Sequence, residues 1–459
     1  MIGIRAALPH GRGMRLLLVL LVAIVTLAAN RASAQGLALI RDTEIENTIR
    51  VYSAPLLRAA GLDPSAVQIH IVNDQRLNAF VAGGMRIFVH TGLLTTAQHP
   101  GQVIGVLAHE IGHISGGHLS RIKEGLKAAT AQSVIAAILG GAAAAASGQP
   151  EGIAAAVGVG AAVGQRSILK YTRGMEQAAD QAAINFLDTT GQSSRGLLEF
   201  MEILKAQEGI YGAGGDPYTR SHPLTVDRIR FVQNHVEKSR FSDVPIAPDL
   251  IAAHERMRGK LNGFLDLPAN TLNRYRADDQ GLEAQYARAI AHMKLSDTET
   301  SLSVLDPLIA KSPKDPFLHE LRGDILRDAG RTREAGDSYR KAIEILPWAA
   351  LIRLSLAQTQ LAVNDPNDLN EIVANVREAI RYEPRIPRAW RQLATAYGRL
   401  NQQGLVSHAL AEEAILKGDS RSAIRFAKRA MAALPEGSAE WIRAQDIELE
   451  AQRLKKLSR

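Results

Sequence analysis

The sequence predicts a mainly α-helical protein with a small sheet: an α+β domain in the first half of the chain and an α-helical repeat array in the second. Three observations carry that division. "VQIHIVND" (Val67 to Asp74) and "MRIFVHTG" (Met85 to Gly92) alternate apolar β-formers with polar residues and end in turn formers, the mark of short half-buried strands. "GVLAHEIGHISGGHL" (Gly105 to Leu119) has helical spacing despite its glycines and carries three histidines and a glutamate. From about residue 280 onward, small and large apolar residues recur at a fixed helical-repeat interval.

Arg5, Arg12 and Arg15 precede the apolar run Leu16 to Ala29, and "ASA" (Ala32 to Ala34) stands before Gln35. Charge, apolar stretch and small-residue site in that order predict a secretory signal peptide over residues 1–34. The alternative is a retained anchor, but the run is short for a span of about 20 residues. Removing the segment's four arginines from a net charge of +7 leaves +3 for the mature chain. That is too mild for a nucleic-acid binder, and no basic run with interleaved aromatics appears. The chain has no cysteine, so disulfides, lipidation through cysteine and thiolate metal sites are excluded. Any metal must be held by His, Asp or Glu.

Residues 35–245 form the expected α+β domain. His109 and His113 are four apart, so on a helix both rings leave one face with Cβ atoms about 6 Å apart. Two imidazoles at that separation can share one tetrahedral zinc. Glu110 then lies beside the metal, where it can take a proton from bound water. The competing reading is an ordinary histidine pair in a buried helix. A third ligand is needed; the position six after His113 is Leu119, and His118 points away and is expected to bond locally. "RGMEQAADQAAINFL" (Arg173 to Leu187) offers Glu176 and Asp180, four apart on an alanine-rich helix. One carboxylate can ligate while the other accepts the remaining N–H of a ligand histidine.

Residues 128–165 hold two glycine- and alanine-rich stretches without charge, expected as closely packed helices. Peripheral membrane contact and a flap over the site are the sharper alternatives. In "TRSHPLTVDRIR", Pro223 imposes an extended backbone on His222, and Arg228 is placed to pair with a site carboxylate. Residues 246–279 are expected as a linker.

The array is expected over 280–455. "LHELRGDILRDAGRTREAGDSYRKAIEILP" places Gly323, Gly330, Ala335, Tyr339, Ala342 and Pro347 at tetratricopeptide positions, and Trp390, Leu393, Ala394 and Tyr397 mark the first helix of a later repeat. The frame returns through Ala411, Gly418, Ala423, Ala430 and Pro435. The step from Pro313 to Pro347 is one period, and the step to Pro384 carries three extra residues near "NDPNDL". Such an array predicts a curved stack with a concave binding face.

"HEIGH", "YTRGMEQAAD" and "SHPLTVDR" together resemble the M48 family of metallopeptidases, and "NAFVAGGMRIFVHTGLL" (Asn78 to Leu94) looks like that family's edge-strand region. The resemblance implies a gluzincin-type fold holding one Zn2+ per chain on His109, His113 and Glu176, with Glu110 as general base and Asp180 supporting a ligand histidine. It implies that His222 is a fourth ligand closing the site; hydrogen bonding to the tetrahedral oxyanion is the other role open to it. It also implies a substrate strand along Asn78 and Ala79, whose free backbone could hold an extended peptide. A signal segment, this domain and repeats are similar to periplasmic members of the family. They imply unfolded or misassembled outer-membrane proteins as substrates and the outer-membrane assembly machinery as partner of the repeats. The reading from a different class is a chaperone or scaffold in which the repeats do the main work and the zinc site stays closed.

Overall fold

The computed structural model describes residues 37–121, 124, 172–211, 218 and 222–457. The expected signal peptide (1–34) and the glycine- and alanine-rich segment 128–165 lie outside the described residues. Among the described residues no helix is long and apolar enough to cross a membrane.

Helix α1 (Thr43–Ala59) starts where Asp42 accepts a hydrogen bond from the Ile45 N–H at 2.9 Å, with Glu44 and Glu46 in its first turn. Its residues Ile45, Ile49, Tyr52 and Leu56 recur at helical spacing and are all buried. Three strands of the small mixed sheet follow: β1 (Gln68–Val72), β2 (Ala79–Ala82) and β3 (Arg86–His90). They lie in the order β1-β3-β2, with β1 parallel and β2 antiparallel to β3, so β2 is an edge strand. The two strands expected from sequence are β1 and β3, each slightly shorter than its alternating run. A short helix, α2 (Thr91–Thr96), takes over the end of the second run.

Helix α3 (Pro100–Ser115) has Pro at its first position, where the missing N–H costs nothing. Its glycines, which weaken it as an isolated helix, are where neighbours come closest. A Cβ on Gly105 would lie 2.7 Å from the Leu197 backbone, in helix α5 (Arg195–Tyr211). A Cβ on Gly112 would lie 2.8 Å from the Ala179 carbonyl, in helix α4 (residues 172–189). Helical propensity is exchanged for close crossing on two sides. Helix α6 (Val226–Val236), capped by Thr225, packs against α5.

The sequence reading of residues 246–279 as a linker does not match what is seen. The stretch folds as α7 (Pro248–Leu265) and α8 (Pro268–Arg274), and Met257 and Leu261 are buried in the same core as Ile49, Ile71 and Leu107. Dense charge hid the helix. Arg256 and Lys260 look like solvated positions, yet both are ion-paired inside the fold.

The second half is five helix pairs: α9 (Leu282–Lys294) with α10 (Thr298–Lys311), α11 (Pro316–Asp328) with α12 (Thr332–Ile345), α13 (Ala350–Val363) with α14 (Leu369–Tyr382), α15 (Pro387–Arg399) with α16 (Gln403–Leu416), and α17 (Ser420–Ala433) with α18 (Ala439–Leu457). The small-residue rule is visible at Gly323, where a Cβ would lie 2.6 Å from the Tyr339 ring. The three extra residues of the longer repeat form a single 3-10 turn, Pro366–Asp368, so the helical frame is preserved.

Candidate active site

The crossing of α3 and α4 at Gly112 and Ala179 sets the site. It brings Glu176 and Asp180 against His109 and His113, all buried. The Nε2 atoms of His109 and His113 are 3.0 Å apart. Glu176 places one carboxylate oxygen 3.3 Å from His109 Nε2 and the other 3.4 Å from His113 Nε2. His222 Nδ1 lies 3.4 Å from His109 Nε2 and 3.2 Å from Glu176 Oε2. These donor atoms of His109, His113, Glu176 and His222 all fall within 4.8 Å of one another.

The spacing fits one metal ion. A tetrahedral zinc with ligands at about 2.0–2.1 Å has edges of roughly 3.3 Å, and the observed separations bracket that value. The tautomers agree. His109 Nδ1 lies 2.9 Å from Asp180 Oδ1, so the Nδ1 proton is the one held there, and the neutral, metal-binding form of the ring would turn its Nε2 lone pair to the cluster. His118 bonds locally, as expected, and its partner is a site residue: its Nδ1 lies 2.9 Å from His113 Nδ1, on the ring edge away from the cluster.

Glu110 is fully buried and neither carboxylate oxygen has a hydrogen-bond partner; its nearest ionisable neighbour is His222, Nε2 to Oε1 at 3.5 Å. Burial pushes its carboxyl above the usual range, against the pull of His222 and His109. An orphaned buried carboxylate beside a metal-fitting cluster is a group with a proton to exchange. Burial opposes the charge on His109, yet its hydrogen bonds to Asp180 and Glu176 win and raise it to about 9. Burial and the neighbouring imidazoles push His113 far down. Glu176 and Asp180 would be raised by burial alone; bonds from His109, His222 and Arg228 lower both instead.

Arg228, given little weight in the sequence, is central. Its Nε reaches Asp180 Oδ2 at 2.6 Å and a terminal nitrogen reaches Oδ1 at 2.9 Å, while another lies 3.0 Å from Glu176 and donates to the Pro223 carbonyl at 3.0 Å. One guanidinium thus ties α4 to the His222-Pro223 segment. Sequence reasoning missed Tyr218, whose ring stacks on His222 at 4.7 Å and whose carbonyl accepts the His222 N–H. Its four-residue offset from His222 was the available signal.

Asn78 and Ala79 lie at the start of β2, the edge strand. The His90 N–H donates to the Asn78 carbonyl at 3.0 Å, so Asn78 faces β3 and the backbone groups of Ala79 turn to the open edge. The strand lies against α3.

The converging donors of His109, His113, Glu176 and His222 fit a single catalytic zinc site, and the protein is a zinc-dependent metalloendopeptidase. Residues 40–236 match the model of Peptidase family M48, and the chain carries an M48-family peptidase domain there. Over 412 residues it is 26% identical to the Beta-barrel assembly-enhancing protease of Escherichia coli (strain K12), covering 88% of this chain and 82% of that one. The protein of the same name from Yersinia pestis is 26% identical over 427 residues, 90% of this chain and 84% of its own. Similarity to Metalloprotease YcaL of Escherichia coli (strain K12), 26% over 178 residues, spans 39% of this chain and 64% of that one.

Proposed function

We propose that the chain is a periplasmic endopeptidase for unfolded or misassembled outer-membrane β-barrel proteins, recruited by its helical repeats and held closed at rest by His222. The observation that carries the enzymatic part is the orphaned Glu110 carboxylate beside four converging donors. The β-barrel substrate class and the compartment rest on relatives that carry the name Beta-barrel assembly-enhancing protease. Their similarity spans both the peptidase domain and the repeats.

His109, His113 and Glu176 would hold the zinc, with Asp180 keeping His109 in the ligating tautomer. When bound, zinc acidifies water towards a pKa of about 7 and polarises the scissile carbonyl. Glu110 takes the water's proton on its free oxygens and hands it to the departing amine. A carboxyl whose pKa burial has raised is suited to both halves of that transfer. Ala79, with its backbone turned to the open edge of β2, would align an extended peptide as an added strand, which favours unfolded over folded substrates.

His222 would be the fourth ligand, a reading supported by its Nδ1 lying toward the cluster and its Nε2 toward Glu110. Arg228 and the stacked Tyr218 hold it there, which supports a latch over an oxyanion donor. His222→Ala tests the choice in assays of peptide cleavage and self-cleavage, with Glu110→Gln as the inactive control. A latch gives higher background proteolysis in His222→Ala. A fall toward the Glu110→Gln level, with zinc retained, would mean that His222 serves the transition state. Full complementation of a deletion strain by Glu110→Gln would favour the scaffold reading over the protease.

A further inference from the structure

Away from the zinc, the helical array contains a small cavity of about 240 Å³ between α14, α15, α16 and α18. Its floor is apolar: Ile380, Leu393, Trp390 and Tyr397 face it. The wall holds His408, whose residue is 7% exposed and whose Nε2 has no hydrogen-bond partner. Burial lowers the His408 pKa, so the ring is neutral and presents one N–H or one lone pair. Trp390 sets its indole edge-to-face with that imidazole at 5.8 Å and spends its own N–H on the Pro384 carbonyl. An unpartnered polar atom at this depth is destabilising unless something satisfies it.

The rim is charged. Arg377 bonds the Tyr397 hydroxyl, but among the described residues no carboxylate forms an ion pair with it, and no cation pairs with Glu440 on the facing helix. Arg381 also lines the cavity and is paired with Glu378. Between residues 377 and 391 the chain has five arginines, at 377, 381, 385, 388 and 391, against two glutamates. The surroundings are therefore cationic, and the volume suits one large side chain rather than a whole peptide.

We infer that this cavity is a docking pocket for a protein partner that inserts one aromatic side chain from a segment with a carboxylate beside it. The aromatic ring fills the floor against Trp390 and Tyr397, where offset or edge-to-face contact adds to the area buried. The neighbouring carboxylate takes the Arg377 guanidinium, and a main-chain group satisfies His408 Nε2. The inference rests on the reading that the repeats recruit partners, and it names where and by what chemistry.

The test uses the full chain in a Glu110→Gln background, so that nothing is cut. The probe is a fluorescein-labelled Gly-Ser-Gly-Asp-Phe-Gly-Ser-Gly peptide, read by anisotropy. Saturable binding is expected, at least tenfold weaker for Arg377→Glu, for His408→Leu, and for the probe with Phe replaced by Ala, and about threefold weaker with Asp replaced by Asn. Arg377 is exposed, so its variant keeps the fold even if His408→Leu does not. Binding unchanged by Arg377→Glu, or indifferent to the aromatic residue, would overturn the pocket. So would occupation by a second copy of the chain, seen as self-association that Arg377→Glu abolishes. A urea-unfolded outer-membrane porin serves as a second probe. Equal capture by the parent and by Arg377→Glu overturns the pocket and leaves recruitment standing. Capture by neither, with the short probe still bound through Arg377, supports the pocket and overturns recruitment of such clients.

Discussion

Replacing Arg228 by Met removes the guanidinium that two buried carboxylates share with the His109 ring. Asp180 loses two hydrogen bonds, Glu176 loses an ion pair at 3.0 Å, and the Pro223 carbonyl loses a donor. Removing one partner of a buried ion pair costs about 3–5 kcal/mol, because the other charge is left without compensation. At roughly 2–4 °C per kcal/mol for a domain of this size, the metal-free protein should melt about 6–20 °C lower. Zinc supplies positive charge to the same carboxylates, so the zinc-loaded variant should fall by less. The sign of the pH effect follows from the lowered pKa values of Glu176 and Asp180. Groups depressed on folding contribute stability that is full above their unfolded pKa, about 4, and is lost as pH falls from there through the lower folded value. Without Arg228 both pKa values rise, so acid unfolding of the metal-free variant should begin at higher pH. Arg228→Lys should lie between, since an ammonium cannot span Asp180 and Pro223 together. Thermal melts in chelator and in zinc, across pH 3–7, measure all of this. Equal drops in chelator and zinc, or a drop under 2 °C, would refute the argument that Arg228 balances the buried carboxylates.

Further expectations follow from the same geometry. Gly112→Ala pushes a methyl group to 2.8 Å from the Ala179 carbonyl and should cost about 1–3 kcal/mol, with weaker zinc binding as α4 is displaced; wild-type zinc affinity in a chelator competition would contradict it. Glu176→Gln should lose zinc almost entirely, whereas Asp180→Asn should weaken it by about 10–100-fold; identical losses by metal analysis would reverse the two roles. With the His109 ring raised to about 9, zinc binding at pH 8 should release about one proton in the Glu110→Gln background. Calorimetry in buffers of different ionisation enthalpy reads that number, and a value near zero would mean that His109 is already neutral.

Much of the site could be read directly because its chemistry is written at helical spacing. His109 and His113 sit four apart, as do Glu176 and Asp180, and each pair lies on a single helix face. What spacing does not carry is which helices touch. The Gly112–Ala179 crossing that joins the pairs depends on a glycine that lowers helix propensity, so a local reading scores it as a weakness. Arg228 was legible as a partner for a site carboxylate but carried little weight, because a lone arginine on a helix is usually solvated and only the fold reveals that it is buried. Tyr218 offered only its four-residue offset from His222, too weak a signal to single it out. In the fold, the two alternating strands were legible, but the edge strand β2, only four residues long, was legible only through family likeness. The repeats were the easiest to read, since small-residue positions such as Gly323 recur under strict steric demand.

Residues 246–279 show how far a charge-based reading can mislead and what the charges are for. Helix α7 carries Arg256 and Lys260 into a buried cluster with Glu44 of α1, at 2.9 and 3.3 Å. Lys260 also meets Asp42 at 2.7 Å and Glu320 of α11 at 3.7 Å, and Arg256 pairs with Asp315 at the start of α11. The Tyr286 hydroxyl of α9 donates to Glu44 at 2.8 Å. A Cβ on Gly259 would lie 2.6 Å from the Glu283 carbonyl, so α7 and α9 are in backbone contact. An apolar joint of the same volume would be as stable or more so. A hydrogen-bonded ionic joint accepts only one docking geometry, because any slip strands a buried charge. The first helix of the peptidase domain and the first helices of the array are therefore held in one arrangement rather than tethered. On the proposed reading, a client bound along the array would meet the edge strand at a distance set by the fold, and its local concentration there would not fall off with the length of a flexible tether. The proposed closure by His222 would suit such a design, since an open zinc site at fixed high client concentration would cut every protein the repeats hold.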